Sequence, residues 1–440
     1  MLKKKNNIQD LKKEKKKVLI ITYYWPPAGG PGVQRWLKFV KYLPDFDIEP
    51  IVYIPENPTY PILDSDLERD VSKKITILRK RIFEPYAIAS LFGSGKIKKI
   101  SKGIIPHQRK QSFIEKTSLW IRGNLFIPDA RIFWIKPSIG YLNKYIKENK
   151  IDTIITTGPP HSVHLIGLGL KKTNDINWIA DFRDPWTSIG YHKSLRLSPQ
   201  AQQRHISMEK EVLTTADSVI VTSRTTKAEF SKITSKPIEV ITNGYDTEKV
   251  ERKALDTKFS LAHIGSFLSE RNPRILWKAL KELCKEEAGF ADNFELKLAG
   301  AVSPTILANI EEFGLTKSLN NLGYLSHKDA VAEQRAAQVL LLIEIDSEET
   351  NGIIPGKIFE YMVSGRPVIG IGPDMSDFAE IISETNTGVF INYDEKDKLK
   401  DTILEYYQQY LQGNLKSNAV GLQKYSRKNL TSRLAQILKS

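Results

Sequence analysis

The chain has 440 residues, enough for two domains that each bury a core of their own. A hydrophobic fraction of 41% and a charged fraction of 26% exclude a fibrous or low-complexity chain, and no run reaches the roughly 18 apolar residues of a membrane helix. The net charge of +14 favours an anionic partner, whether lipid head groups, nucleic acid or a charged substrate, and the single cysteine, Cys284, excludes an internal disulfide.

Residues 1–17 are mostly Lys, Asn and Glu with only Ile8 and Leu11 as apolar anchors, so a solvated basic tail is expected. No small-residue cleavage site follows, which argues against a signal peptide. Val18–Tyr23 reads as a buried strand running into Trp25-Pro26-Pro27-Ala28-Gly29-Gly30-Pro31-Gly32. Val33, Trp36, Leu37, Val40 and Leu43 then recur at helical spacing up to Pro44. Strand, glycine-rich loop and helix let bare N–H groups approach a phosphate. Arg35 stands where a dinucleotide fingerprint would need its third glycine, which counts against that motif.

Ile48–Ile54 and Ile75–Leu78 are further strands. From 91 to 123 the alternation breaks: Lys96, Lys98, Lys99, Lys102, Arg109, Lys110, Lys116 and Arg122 mix with Ile97, Ile100, Phe113, Leu119 and Trp120. That mixture suits an anionic membrane surface as well as an ordinary basic helix. Nucleic acid is disfavoured, because no helix-turn-helix, zinc or RNP pattern accompanies the charge. Asp152–Thr157 ends in Gly158-Pro159-Pro160-His161, and Trp178–Asp181 ends in Phe182-Arg183-Asp184. Carboxyl ends of parallel strands are where ligands bind. His161 either orients a sugar hydroxyl or phosphate or caps a helix; Arg183 and Asp184 are either functional or a structural ion pair. Ser218–Thr222 and Ile238–Ile241 complete this half, the latter running into the turn Asn243-Gly244-Tyr245-Asp246.

The second half repeats the alternation, with strands at Leu261–Ile264, Phe294–Ala299, Leu322–Leu325, Val339–Ile345, Pro367–Ile371 and Gly388–Ile391. Cys284 lies in an amphipathic run and reads as a structural thiol. The most informative stretch is Asn351–Gly372. A helix is expected from Pro355 to Gly365, burying Ile358 and Met362 and presenting Lys357, Glu360, Tyr361 and Ser364 as one polar stripe. A cation in the first turn with a carboxylate three residues on suits a ligand with phosphate at one end and vicinal hydroxyls at the other; a surface Lys–Glu pair is the simpler alternative. An Asp-x-Asp string at Asp64–Asp66 falls in a loop-like stretch, and nothing in the chain demands a metal.

The pattern P-x-K-x-x-E-Y-M-x-x-G-x-P-V-I at 355–369 resembles the nucleotide-sugar motif of the family-four glycosyltransferases. The resemblance implies an α/β GT-B fold, two Rossmann-like domains facing each other across a cleft, and a retaining transfer from a nucleoside-diphosphate sugar to a hydroxyl acceptor without a further cofactor. It implies that Glu360 binds the ribose, and that Lys357, with Arg271 where the family usually has Lys, faces the phosphates. The family's Arg just after Gly265 is Ser266 here, and the Glu it often carries near the transferred sugar is Gly352, with Glu348 and Glu349 slightly upstream. Tyr324 and Leu325 match its base-contacting segment. The loop with Gly30 and Gly32 matches the one facing donor and acceptor, and the segments at His161 and Asp184 match a bacterial branch. Residues 18–245, completed by a returning helix at 420–440, form the expected acceptor domain, and 246–419 the donor domain. The implied setting is surface-polysaccharide assembly on a glycan or lipid-linked acceptor at the cytoplasmic face of the membrane. A nucleotide-sugar 2-epimerase of the same architecture, and a basic nucleic-acid-binding protein, are the alternatives.

Overall fold

A computed structural model describes residues 15–84, 113–193, 195–246 and 253–440. The first sheet has seven parallel strands: β1 Lys16–Thr22, β2 Ile48–Pro55, β3 Thr76–Lys80, β4 Thr153–Gly158, β5 Asn177–Phe182, β6 Ser218–Val221 and β7 Ile238–Val240, in the order 3-2-1-4-5-6-7. The second has six: β8 Phe259–Ile264, β9 Phe294–Ala299, β10 Leu319–Gly323, β11 Val339–Ile343, β12 Val368–Gly372 and β13 Gly388–Asn392, in the order 10-9-8-11-12-13. These are two Rossmann-like domains of the GT-B arrangement. Continuous apolar strands such as Val18–Ile21 and Val339–Ile343 require cover on both faces, and each sheet carries a core on either side.

Strand order reverses between β1 and β4 and again between β8 and β11. Such switch points open crevices at the carboxyl ends of the strands. The loops after β1, β8 and β11 supply the side chains described below.

The terminal helix Arg427–Lys439 returns to the first domain. Leu430, Leu434, Ala435 and Leu438 share one of its faces and pack with Val18, Ile20, Trp36 and Val40. Where the chain crosses between domains, the two passages hold each other: Tyr245 N–H donates to Tyr425 O (3.1 Å) and Arg427 N–H donates to Tyr245 O (2.9 Å). Gly244 permits this approach, because a Cβ there would collide with the Tyr425 carbonyl. Arg427 then reaches Gly244 O (3.0 Å), Gln34 Oε1 (3.0 Å) and Asp246 (3.5 Å).

Two expected elements are corrected. The strand placed at Leu322–Leu325 runs Leu319–Gly323, because Gly323 turns to φ +67 and ends it. Polar Asn320 and Asn321 had disguised its start. The helix placed from Pro355 to Gly365 is one turn, Ile358–Tyr361, continued by tight turns. Ile358 and Met362 are buried, but Tyr361 is buried too, so the polar stripe loses that member. Its hydroxyl accepts from Ile264 N–H (3.0 Å) instead.

Residues 91–112 of the basic segment lie outside the described residues; from Phe113 to Leu125 the chain is helical. Among the described residues no helix is long and apolar enough to cross a membrane. Cys284 is half-buried beside the second core, where burial pushes its thiol up.

Candidate active site

A cavity of about 310 Å³ lies between the domains, lined by Gly30 and Arg35 from the first, by His263, Arg271, Lys357 and Glu360 from the second, and by Arg427 of the returning helix. Lys357 stands at the start of the short turn, and its stem crosses Gly265. That glycine, at φ +118, has its position for a Cβ only 2.5 Å from Lys357 Cε. Any side chain at 265 would therefore be strained and would displace the lysine. Burial, with Arg271 nearby, pulls the Lys357 ammonium down to about 8. It is protonated at pH 7 and holds its proton weakly, as suits a group awaiting an anion.

The other cations in the cavity already have carboxylate partners. Arg271 makes a two-pronged pair with the fully buried Glu344, through Nε (3.0 Å) and Nη2 (3.1 Å). Glu344 is held in turn by Ile345 N–H (2.9 Å). Arg35 pairs with Asp181 (3.0 Å) and donates to Thr242 O (2.7 Å). Asp181 also accepts from Trp36 Nε1 (2.7 Å) and Thr157 Oγ1 (2.8 Å). The Glu360 carboxylate lines the same cavity, and its Oε2 accepts from the buried Gln334 amide (2.8 Å). The arrangement offers a cation, a glycine-bared backbone and an oriented carboxylate within one cleft.

Residues 104–249 match the family model described as Glycosyltransferase Family 4, and residues 258–409 match the one described as Glycosyl transferases group 1. The chain belongs to the family-four glycosyltransferases, GT-B enzymes that use nucleotide sugars. No curated protein matches it. Solved structures share its fold at low identity. Sucrose-phosphate synthase from Thermosynechococcus elongatus is 14% identical with a TM-score of 0.59, covering 97% of this chain and 98% of that one. A TarM variant of S. aureus, solved with Fondaparinux, alpha-GlcNAc-glycerol and UDP, is 12% identical with a TM-score of 0.59, covering 97% and 100%. A Listeria monocytogenes protein assigned as a UDP-N-acetylglucosamine 2-epimerase is 14% identical with a TM-score of 0.53, covering 97% and 96%.

The transferase brings Gly30, Arg271, Lys357 and Glu360 to one cavity, with Gly265 beneath the lysine. Gly32 lies in the first turn of the helix Pro31–Tyr42, where a Cβ would run into the Arg183 guanidinium. Asp184 lines a neighbouring cavity of about 160 Å³ with Glu348, Glu349 and Gly352; Asn243 borders both spaces. Withdrawal from water pushes the Asp184 carboxyl up, against the opposing pull of Arg183. A Cβ at Gly352 would stand 3.2 Å from Ser223 Oγ and from Thr225 Cβ. The position where relatives often have Glu is thus pressed against the first domain, and Thr225 is tied across to Asp377 (3.0 Å, twice).

His161 does not line the cleft. It sits in the first domain's core, stacked on Trp186 at 4.8 Å, and burial holds it neutral, well below its ordinary value. Nor does it cap the following helix, whose first N–H is taken by Asp129 (2.9 Å). Tyr324 is 90% exposed and Leu325 packs on the second domain's core; neither lines the cavity. Asp64 accepts from Asp66 N–H (3.2 Å) in a short surface turn.

Glu344, His263 and Gln334 were not singled out by sequence. The first two did leave a signal: each is a lone ionisable residue inside a mostly apolar strand run, LLLIEI and SLAHIG. Such a residue is buried with a partner or not at all.

Proposed function

We propose that this transferase retains anomeric configuration and moves a sugar from a nucleoside diphosphate to a hydroxyl acceptor, in surface-polysaccharide or lipid-linked glycan assembly. Residues 246–419 take the donor, and residues 18–245 with the returning segment 420–440 take the acceptor. The observation that carries this reading is Lys357 and Glu360, three residues apart on one turn and lining the same cavity. The diphosphate lies against Lys357 and the backbone of Gly265 and Gly30, and the ribose lies against Glu360. As the glycosidic bond breaks, negative charge grows on the leaving diphosphate, and a preorganised cation in a closed cleft stabilises it. Closure over the donor keeps water from the sugar.

No metal is required by this scheme. Among the described residues no three of His, Cys, Asp and Glu stand together as a ligand group. The expected outcome is a nucleotide-dependent thermal shift that survives EDTA. A nucleotide at 100 times its Kd adds about 2.7 kcal/mol of stability. Screening UDP, GDP and ADP sugars checks it; a shift that vanishes in EDTA and returns with Mg²⁺ refutes the metal-free scheme. Nucleoside diphosphate release that depends on acceptor separates a transferase from an epimerase.

The acceptor domain is proposed to rest on an anionic membrane at its cytoplasmic face. Phe83, Phe126 and Phe133 cluster at its surface, and Trp120, Ile121 and Leu125 are exposed on the helix Phe113–Leu125 beside exposed Lys116. Bulky apolar side chains among basic ones suit that boundary. Flotation with anionic but not neutral vesicles, weakening with salt, is expected; equal binding to both refutes the electrostatic account.

A further inference from the structure

His263 lies two residues before Gly265 in β8, and it is 1% exposed. A histidine inside an otherwise apolar strand is costly unless both ring nitrogens are used. Here one face of the ring stacks on Phe267 at 4.3 Å, and the nitrogens point to different partners. Nδ1 lies 3.2 Å from Leu341 O, whereas Nε2 faces both Ser266 O at 3.4 Å and Lys357 Nζ at 3.2 Å. A carbonyl only accepts and an ammonium only donates, so the tautomer with Nδ1–H donating to Leu341 O and a bare Nε2 accepting from Lys357 satisfies the two shorter contacts and leaves Ser266 O without the ring's hydrogen.

We propose that His263 is the positioning residue of Lys357: its Nε2 accepts one ammonium hydrogen and so turns the other two toward the space that a diphosphate would fill. The ring does not touch substrate. It acts through the lysine, and the inference rests on the donor reading above only for what fills that space. Three features make the contact purposeful. The lysine stem is laid across Gly265, where no side chain fits. Arg271 approaches from the turn Ser269–Arg271 but is engaged by Glu344 at the end of β11. Glu360, on the lysine's own turn, is held toward Gln334. The neutral ring therefore fixes the ammonium's direction without neutralising its charge, which a carboxylate in its place would do. Burial and the Lys357 charge both keep the imidazole well below its ordinary value, so it remains an acceptor across the physiological range.

Removing the acceptor withdraws a charge-assisted hydrogen bond from the protonated lysine and only a weaker one from the neutral amine, so the lysine's titration moves down. Competitive acetylation of the full-length protein without nucleotide, read peptide by peptide across pH, follows Lys357 directly. In His263→Phe, which keeps the stacked shape, the midpoint is expected to fall by about one pH unit. His263→Gln, which restores an acceptor, is expected to bring it most of the way back. A His263→Phe midpoint within about 0.3 unit of wild type overturns the proposal, since one hydrogen bond to a charged group exceeds that. A second measurement needs no variant of His263. In ¹⁵N-histidine-labelled wild type, the His263 ring should show Nδ1 protonated and Nε2 bare, and Lys357→Met should shift the Nε2 resonance. An Nε2-protonated ring, or no response to Lys357→Met, equally overturns it. Because neither measurement uses a nucleotide, their outcome is separate from that of the donor reading. Nucleoside diphosphate binding should also weaken about fivefold in His263→Phe at pH 8 and recover toward pH 6, where the lysine recharges.

Discussion

Lys357→Ala is expected to lower kcat by about a hundredfold to a thousandfold while donor KM rises far less. The physical reason is where the charge appears. The bound donor carries its diphosphate charge spread over two phosphates; bond cleavage adds charge at the leaving oxygen, and a fixed cation in a cleft gains most at that moment. Lys357 is suited to this, because its partner is a neutral ring whereas Arg35 and Arg271 each hold a buried carboxylate. Arg271→Ala should also lower kcat, but it strands Glu344 in the core, so lost activity there would mix chemistry with misfolding. Lys357→Ala leaves no buried charge behind. Steady-state kinetics on a folded variant decide it, and activity within about threefold of wild type removes Lys357 from the mechanism.

The largest expected effect on stability is at Asp181. Its carboxylate is fully buried, and it takes hydrogen bonds from Arg35, Trp36 and Thr157, three groups from two other elements, the helix Pro31–Tyr42 and β4. Asp181→Ala leaves the Arg35 guanidinium, itself 4% exposed, without its counter-charge. Breaking one side of a buried ion pair costs about 3–5 kcal/mol. Asp181→Asn should cost less, because the amide oxygen still accepts from Arg35 or Trp36. Urea unfolding of the first-domain transition checks both. A loss under about 1 kcal/mol in Asp181→Ala would mean that water replaces the carboxylate and that the pair is not an organising contact.

Much of this architecture is legible in the sequence because parallel strands buried on both faces are short apolar runs bounded by turn residues. Most of the thirteen strands among the described residues have such a run, and β10 was displaced, where Asn320 and Asn321 replace apolar residues at a sheet edge. The cluster of Lys357, Glu360, Arg271 and Gly265 was legible through a family motif, in which spacing along the chain fixes residue type. What the spacing did not contain was tertiary. Tyr361 falls on the polar side of a helical wheel, yet the turn is too short to be a helix, and the ring drops into the core beneath Ile264. His161 follows a strand end, as ligand-binding residues do, but Trp186 from the next loop closes over it. The partner of Arg271 is 73 residues away, at a strand end that sequence alone marks only as one charge in an apolar run.

The most direct test of the donor site is calorimetric titration of wild type and Glu360→Ala with UDP or GDP, each beside its 2′,3′-dideoxyribose analogue. Charge-assisted hydrogen bonds contribute about 1.5–3 kcal/mol, so wild type should prefer the hydroxylated nucleotide by roughly tenfold to a hundredfold. Glu360→Ala should bind the two equally, and Glu360→Gln should keep part of the preference. A Glu360→Ala protein that still prefers the hydroxylated nucleotide by the wild-type margin would contradict the account, leaving Glu360 as a carboxylate that only anchors Gln334.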